Sequence, residues 1–223
     1  MDAKREFIKA YFDDWSRDLK RVSGLLTNVE HRYDAVLILS CYIGALAALR
    51  YPDRSDRNAY INLVIRYSGL KSLYQIVDLL FFYQWPRSEF RRSKDPRARP
   101  YSKIQGYSNL KKFLGREFGD ENAVLVDSKR RFVGIPTLLR RLPPKFDRVR
   151  AVQTLRVFTV SEVLYRYVRC HAVHHRKFDV VKQDGLLRPE TILTTVANIV
   201  QNLESECLTK GRWPYQLRNM RHS

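Results

Sequence analysis

Acidic side chains are too few to balance the basic ones: 23 Asp and Glu face 41 Lys and Arg in 223 residues, leaving a formal charge of +18. That shortage excludes an acidic disordered tail. It calls for a partner that tolerates positive charge, nucleic acid before an anionic membrane surface. Glycine and proline are sparse at 9 each, which excludes collagen-like and low-complexity chains. Only three cysteines occur, Cys41, Cys170 and Cys207. They are far apart and form no Cys-x-x-Cys pair, so neither a disulfide framework nor a thiolate zinc site is expected, and a reducing cytoplasm fits.

Long apolar runs are also lacking. The most hydrophobic stretch, Ala35–Leu49, is bracketed by Asp34 and Arg50. A membrane span needs about 20 residues, so the stretch reads as a buried helix of a soluble protein without a membrane partner. The N-terminus is charged and has no apolar stretch behind it, unlike a signal peptide. A Gly-rich phosphate loop, a Gly-x-Ser-x-Gly elbow and a two-metal carboxylate cluster are all missing. ATPase, esterase-fold and metal-nuclease chemistry therefore drop, and neither cofactor nor metal is expected.

What is present is helical periodicity. Phe7, Tyr11, Trp15, Leu19 and Val22 predict a helix over 3–24. A buried helix follows at 30–50, where Gly44, Ala45, Ala47 and Ala48 would let a neighbour approach closely; Pro52 stops it. Ser55 is a candidate N-cap for a helix at 56–67, and 70–84 reads as a fourth. Phe146–His175 predicts one long amphipathic helix and 189–209 the last, opened by Pro189. The fold class is all-α: an antiparallel helical bundle forming one domain over 1–223.

Residues 85–150 differ. They hold 18 of the 41 basic residues, only 7 acidic ones and six of the nine prolines. The stretch reads as a basic, partly irregular insertion in the bundle, too thin in apolar residues for its own core. Short helices are expected at 108–118 and 136–142, and a small strand or hairpin at 123–134. Arg87, Arg91, Arg92, Lys94, Arg97, Arg99 and Lys103, interleaved with Trp85, Phe90, Tyr101 and Tyr107, suit a clamp in which arginines hold phosphates and rings stack on bases. Lys129, Arg130, Arg131, Arg140, Arg141, Arg148 and Arg150 extend it. The plainer reading is a solvated loop whose aromatics anchor it to the bundle. The basic tail Trp213–His222 packs on a partner or RNA.

Three of the five histidines, His171, His174 and His175, close the long helix. His171 and His175 sit four apart, as two metal ligands would, but no carboxylate accompanies them and the surroundings are cationic. A helix end whose C-terminal dipole stabilises protonated histidines is a second reading. The third is acid–base chemistry on a phosphodiester. A guanidinium can hold a phosphate by two parallel hydrogen bonds, and a near-neutral histidine can move a hydroxyl proton. Arg169-x4-His174 fits it, as does Arg166-x4-His171. On a regular helix five residues turn through about 140°, so the pair meets only if the helix ends or distorts. Asp34 either orients the arginine or is a first-turn helix carboxylate.

The run Tyr167-Val168-Arg169-Cys170-His171-Ala172-Val173-His174 resembles the motif of the HEPN (higher eukaryotes and prokaryotes nucleotide-binding) superfamily: Arg, a polar residue, three to five more, then His. Tyr33–Ala47 is similar to an early helix of its bacterial members. The motif covers about ten residues, the looser likeness 30–84 and 150–205. It departs at Cys170, where Asn, Asp or His is commoner, and at His175, which stands where glycine often follows. His171 is placed to take over the orienting role. The resemblance implies an all-α homodimer whose two motifs meet in a composite, metal-independent RNase site. Arg169 would bind phosphate, His174 would act as acid–base, and Arg166 and Cys170 would support them. It further implies toxin, phage-defence or CRISPR-linked roles, with an antitoxin or ribonucleoprotein partner. Two other readings remain: a non-catalytic RNA- or DNA-binding subunit that uses the basic insertion, and an interaction module that neutralises an acidic partner.

Overall fold

The computed structural model describes residues 3–88, 104–170 and 186–217. In chain order the helices begin with α1 (Ala3–Thr27), α2 (Arg32–Arg50), α3 (Asp56–Tyr67) and the short α4 (Lys71–Tyr74). Strand β1 (Ile76–Asp78) and α5 (Leu79–Gln84) follow, then α6 (Tyr107–Phe118), α7 (Glu121–Val126) and α8 (Ser128–Arg131). Next come β2 (Phe132–Gly134), α9 (Ile135–Arg141), α10 (Arg148–Arg156) and α11 (Val160–Val163). A π-helical segment, Leu164–Cys170, and α12 (Pro189–Lys210) complete the series. The fold is all-α, and among the described residues the strands form one two-stranded sheet. The chain divides into two compact units, one of residues up to Lys71 and from Leu164 onward, the other of Ser72–Val163.

In the first unit α1 buries Ile8, Phe12, Leu19, Val22 and Leu26, a row spaced by threes and fours. The expected stripe is thus rotated by one residue at its start. Phe7 is 68% exposed, while Tyr11 and Trp15 form a half-buried second row. Tyr11 meets the Trp213 ring edge-on at 5.8 Å, and Trp15 meets Tyr42 at 5.0 Å. Helix α2 packs against α1, α3 and α12, burying Ala35, Val36, Leu39, Ile43, Leu46 and Ala47. With the preceding turn, Val29–Arg50 is long and apolar enough to cross a membrane, although the apolar run by itself falls short. Ser55 stands at the start of α3, but its side chain makes no capping bond. Helix α12 opens at Pro189 and closes on Gly211 at φ +57°. The Arg212 and Gly211 amides bond back to Cys207 and Leu208, a Schellman ending.

The second unit has a buried cluster of its own, centred on Val77, Leu79, Phe82, Trp85, Tyr107, Leu110, Leu114, Leu138, Leu155 and Phe158. The apolar content that looked thin over 85–150 is completed by residues from both flanks, 77–84 and 151–158. Two expected helices are broken to make it. Residues 70–84 give only α4 and α5, because Ile76–Asp78 pairs antiparallel with Phe132–Gly134 in register Val77↔Val133. The 146–175 helix stops at Val157–Thr159, where Val77 bridges Thr159 and the Asp78 amide bonds the Phe158 carbonyl at 2.9 Å. No hairpin forms at 123–134. Asp120 caps α7 by accepting from the Ala123 amide, so the Ala-Val-Leu-Val run turns helical and β2 finds its partner far upstream.

Asp78 ties this unit together. It is 2% exposed, caps α5 through the Leu80 amide at 3.0 Å and receives the Arg131 fork at 2.8 and 2.7 Å. Burial holds its carboxyl above the usual range against the opposing pull of Arg131 and the Leu80 and Phe81 amides. Arg131→Met removes the partner and is expected to cost about 3–5 kcal/mol. The ionised carboxylate is the penalised form, so the loss should grow as pH rises from about 4 to 7. Denaturant unfolding at the two pH values checks this; an equal loss at both would contradict it.

Candidate active site

The motif region begins on the π-helical segment Leu164–Cys170. Such i→i+5 winding is rare and frequently falls at functional sites. Its first anchor is Tyr165, 2% exposed, whose hydroxyl donates to Asp56 Oδ2 at 2.9 Å. The Tyr165 ring meets Tyr60 edge-on at 5.4 Å, and Tyr60 Oη lies 3.4 Å from Ser40 Oγ. Burial, followed by the neighbouring Cys170 and Asp56, pushes the Tyr165 phenol far above its ordinary value. It therefore stays a neutral donor. Helices α2 and α3 thus grip the segment from two sides.

One turn later Arg169 lies on α2. A Cβ added to Gly44 would stand 3.0 Å from Arg169 Nε and 3.4 Å from Cζ and Nη2, so the guanidinium rests on bare backbone. Its Nε is buried without an acceptor among the described residues. Arg166, three residues earlier, is 1% exposed and sits 4.9 Å from the Tyr167 ring centroid. Arg169 and Cys170 are half-buried. His171 and His174 lie outside the described residues, so the acid–base half of the expected pair has no geometry here. Asp34 is exposed and pairs with His31 at 3.3 Å, the first-turn role rather than contact with an arginine. Among the described residues no group of three or more potential metal-ligating side chains occurs.

The expected nucleic-acid clamp is described only in part. Arg91, Arg92, Lys94, Arg97, Arg99 and Lys103 lie outside the described residues. Arg87 pairs with Glu121, Arg130 with Asp127 at 3.2 Å and Arg141 with Glu117 at 3.8 Å. Arg131 is held by Asp78, and Arg140 donates to Thr137 Oγ1 at 3.4 Å. Lys129 is exposed. Trp85 and Tyr107 are core residues at 7% and 6% exposure, with centroids 4.5 Å apart. Buried rings cannot stack on bases, so these two anchor the unit. Cations that sequence reasoning passed over, Lys111, Lys112, Arg116 and Lys145, have no carboxylate partner among the described residues, and neither do Arg148 and Arg150.

A second polar cluster in the first unit serves the fold. Arg50, 2% exposed, donates to Tyr67 Oη at 2.9 Å and to the Leu217 carbonyl at 2.7 Å. Tyr67 donates to Glu206 Oε2 at 2.5 Å, and Arg66 and Lys210 pair with the same carboxylate. Burial raises Cys207 beside it to about 12, which leaves that thiol unreactive. Sequence signals for the supporting groups were partial. Gly44 stood out as a small residue on a helix, whereas nothing in the sequence linked Asp56 to Tyr165.

No protein-family model, curated protein or solved structure matches this chain. The site therefore rests on its own chemistry.

Burial pushes the Glu206 carboxyl up, but the Lys210 and Tyr67 hydrogen bonds and the Arg66 charge outweigh it and hold the group below its usual value. Its stabilisation is thus present above the ordinary carboxylate range and is lost as pH falls through the lowered folded value. Glu206→Gln should cost about 1–3 kcal/mol at pH 7 and abolish that acid-side loss. Chemical denaturation across pH tests it.

Proposed function

We propose that this chain is a metal-independent endoribonuclease of HEPN type that acts as a cytoplasmic homodimer in bacterial defence or as a toxin restrained by an antitoxin. The observation that carries the reading is the half-buried Arg169 at the motif, whose Nε is buried with no acceptor among the described residues and for which no carboxylate pair occurs among them. Arg66, Arg87, Arg130, Arg131 and Arg141 pair with carboxylates, whereas Arg32 Nε and Arg50 Nη2 share with Arg169 a buried nitrogen that meets no acceptor among the described residues. A positive fork removed from part of its water and given no internal anion is suited to an external one, and phosphate matches its geometry. Arg166 fits the same spacing but is enclosed, which favours Arg169 as the phosphate holder.

In this reading Arg169 holds the scissile phosphate and neutralises the charge gained as the 2′-oxygen attacks phosphorus. The P–O5′ bond breaks, a 2′,3′-cyclic phosphate remains, and His174 moves a proton between the hydroxyl and the leaving oxygen. DNA, which has no 2′-hydroxyl, is not cut. Incubation with RNA in EDTA is the test. Wild type should cleave and leave cyclic-phosphate ends, and Arg169→Ala and His174→Ala should each lower the rate by roughly 10²–10⁴-fold. Cleavage that survives both substitutions, or that requires a divalent ion, would overturn the mechanism.

The second reading, a non-catalytic RNA-binding subunit of a ribonucleoprotein, is favoured by the carboxylate-free cations Lys111, Lys112, Arg116, Lys145, Arg148 and Arg150. It expects binding without cleavage. Under either reading the double charge reversal Arg148→Glu, Arg150→Glu should weaken RNA binding and flatten its dependence on salt by about two contacts. A filter-binding salt titration with an unchanged slope would exclude that surface.

A further inference from the structure

We infer that Gly44, in the middle of α2, is a positioning residue: its missing side chain makes the seat that fixes the direction of the Arg169 guanidinium. The consequence for RNA rests on Arg169 being the phosphate holder, while the seat itself does not.

Glycine is, after proline, the worst residue for a helix interior. Gly44 nevertheless lies in the helix that meets α1, α3 and α12, between the buried positions Ser40, Ile43 and Ala47. It has an ordinary helical backbone, since its φ is not among the positive ones, so no turn demands glycine there. What demands it is Arg169. A Cβ would come within 3.0 Å of Nε and 3.4 Å of both Cζ and Nη2, so the guanidinium would have to shift by a few tenths of an ångström to admit it. The guanidinium therefore lies against the α2 backbone with Nε nearest, and Nε is sealed from water and lacks an acceptor among the described residues. Nε is thus closed to a ligand, and the terminal Nη1 and Nη2 pair is left as the fork through which Arg169 can hold a phosphate. Tyr165, bonded to Asp56 of α3, fixes the preceding turn so that the arginine reaches the notch.

Alanine at 44 would displace the far end of a flexible side chain, not backbone. Gly44→Ala should therefore fold with a melting temperature equal to or above wild type, because alanine favours helix, and yet misdirect Arg169. Selectively ¹⁵N-arginine-labelled protein gives a direct readout. The Nε–H signal absent from Arg169→Ala is that of Arg169. In wild type it should exchange slowly with solvent, and in Gly44→Ala it should shift and exchange at least about 10-fold faster. RNA cleavage in EDTA should fall on the order of 10- to 100-fold in kcat with KM changed much less. Adding Gly44→Ala to Arg169→Ala should do nothing further, the mark of action through the arginine. Tyr165→Phe, nearly isosteric, tests the same seat from its other side and should shift the same signal.

The outcomes separate the claims. An Arg169 Nε–H signal that is unmoved in Gly44→Ala and Tyr165→Phe overturns the seat. A shifted signal in a protein whose cleavage is absent, or insensitive to Arg169→Ala, leaves the seat standing and overturns the nuclease reading. A shifted signal with Arg169-dependent cleavage at the wild-type rate in Gly44→Ala overturns the positioning role.

Discussion

A guanidinium taken out of water costs several kcal/mol unless acceptors meet it, and that constraint sorts the arginines of this chain. Arg131 is met by both oxygens of Asp78, and the same carboxylate caps α5. One residue, Asp78, thus joins the buried ion pair and the helix start through its carboxylate, and the strand and the interruption at Phe158 through its backbone. Arg50 is met by Tyr67 and the Leu217 carbonyl, which pins the end of the described chain to α2. Arg169 departs from the pattern at the motif, as Arg32 Nε and Arg50 Nη2 do elsewhere in the same unit. The Arg169 Nε lies against α2 at Gly44 and meets no acceptor among the described residues.

The constraint also explains the fate of the charge. Residues 85–150 carry a net +11, which by composition alone points to a uniform polyanion surface. In the described part every carboxylate is committed: Asp120, Asp127 and Asp147 cap α7, α8 and α10, and Glu117 and Glu121 pair with Arg141 and Arg87. Helix starts need acceptors for free amides, so the acids are used on backbone and on neighbouring arginines. The cations left over are Lys111, Lys112, Arg116, Lys145, Arg148 and Arg150 more than the arginines that look most clamp-like in sequence.

Legibility followed the length of each periodic run. Helices α1, α2, α3 and α12 were readable because 12 or more residues repeat one period, and each buries that face. Short apolar words were not. Ile76-Val77-Asp78 fits both periods, and its pairing with Phe132–Gly134 is a contact across more than fifty residues that no local pattern encodes. The Ala-Val-Leu-Val run looked like a strand until Asp120 supplied a cap. Trp85 and Tyr107 read equally well as stacking rings or core, and only burial decides between them.

The candidate site shows the same division more sharply. Sequence supplied two arginines, Arg166 and Arg169, with the same spacing to a histidine, and spacing could not separate them. Three residues along a helical segment is most of a turn, enough to send one side chain inward and leave the next partly open. Which goes inward is set by what α2 and α3 offer: Tyr165 is claimed by Asp56 and Tyr60, and this fixes the phase of the segment. Arg166 then turns into the unit and Arg169 onto the bare backbone at Gly44. The choice between two equivalent motifs is thus made by a tyrosine and a glycine that belong to neither, through packing that a linear pattern cannot carry.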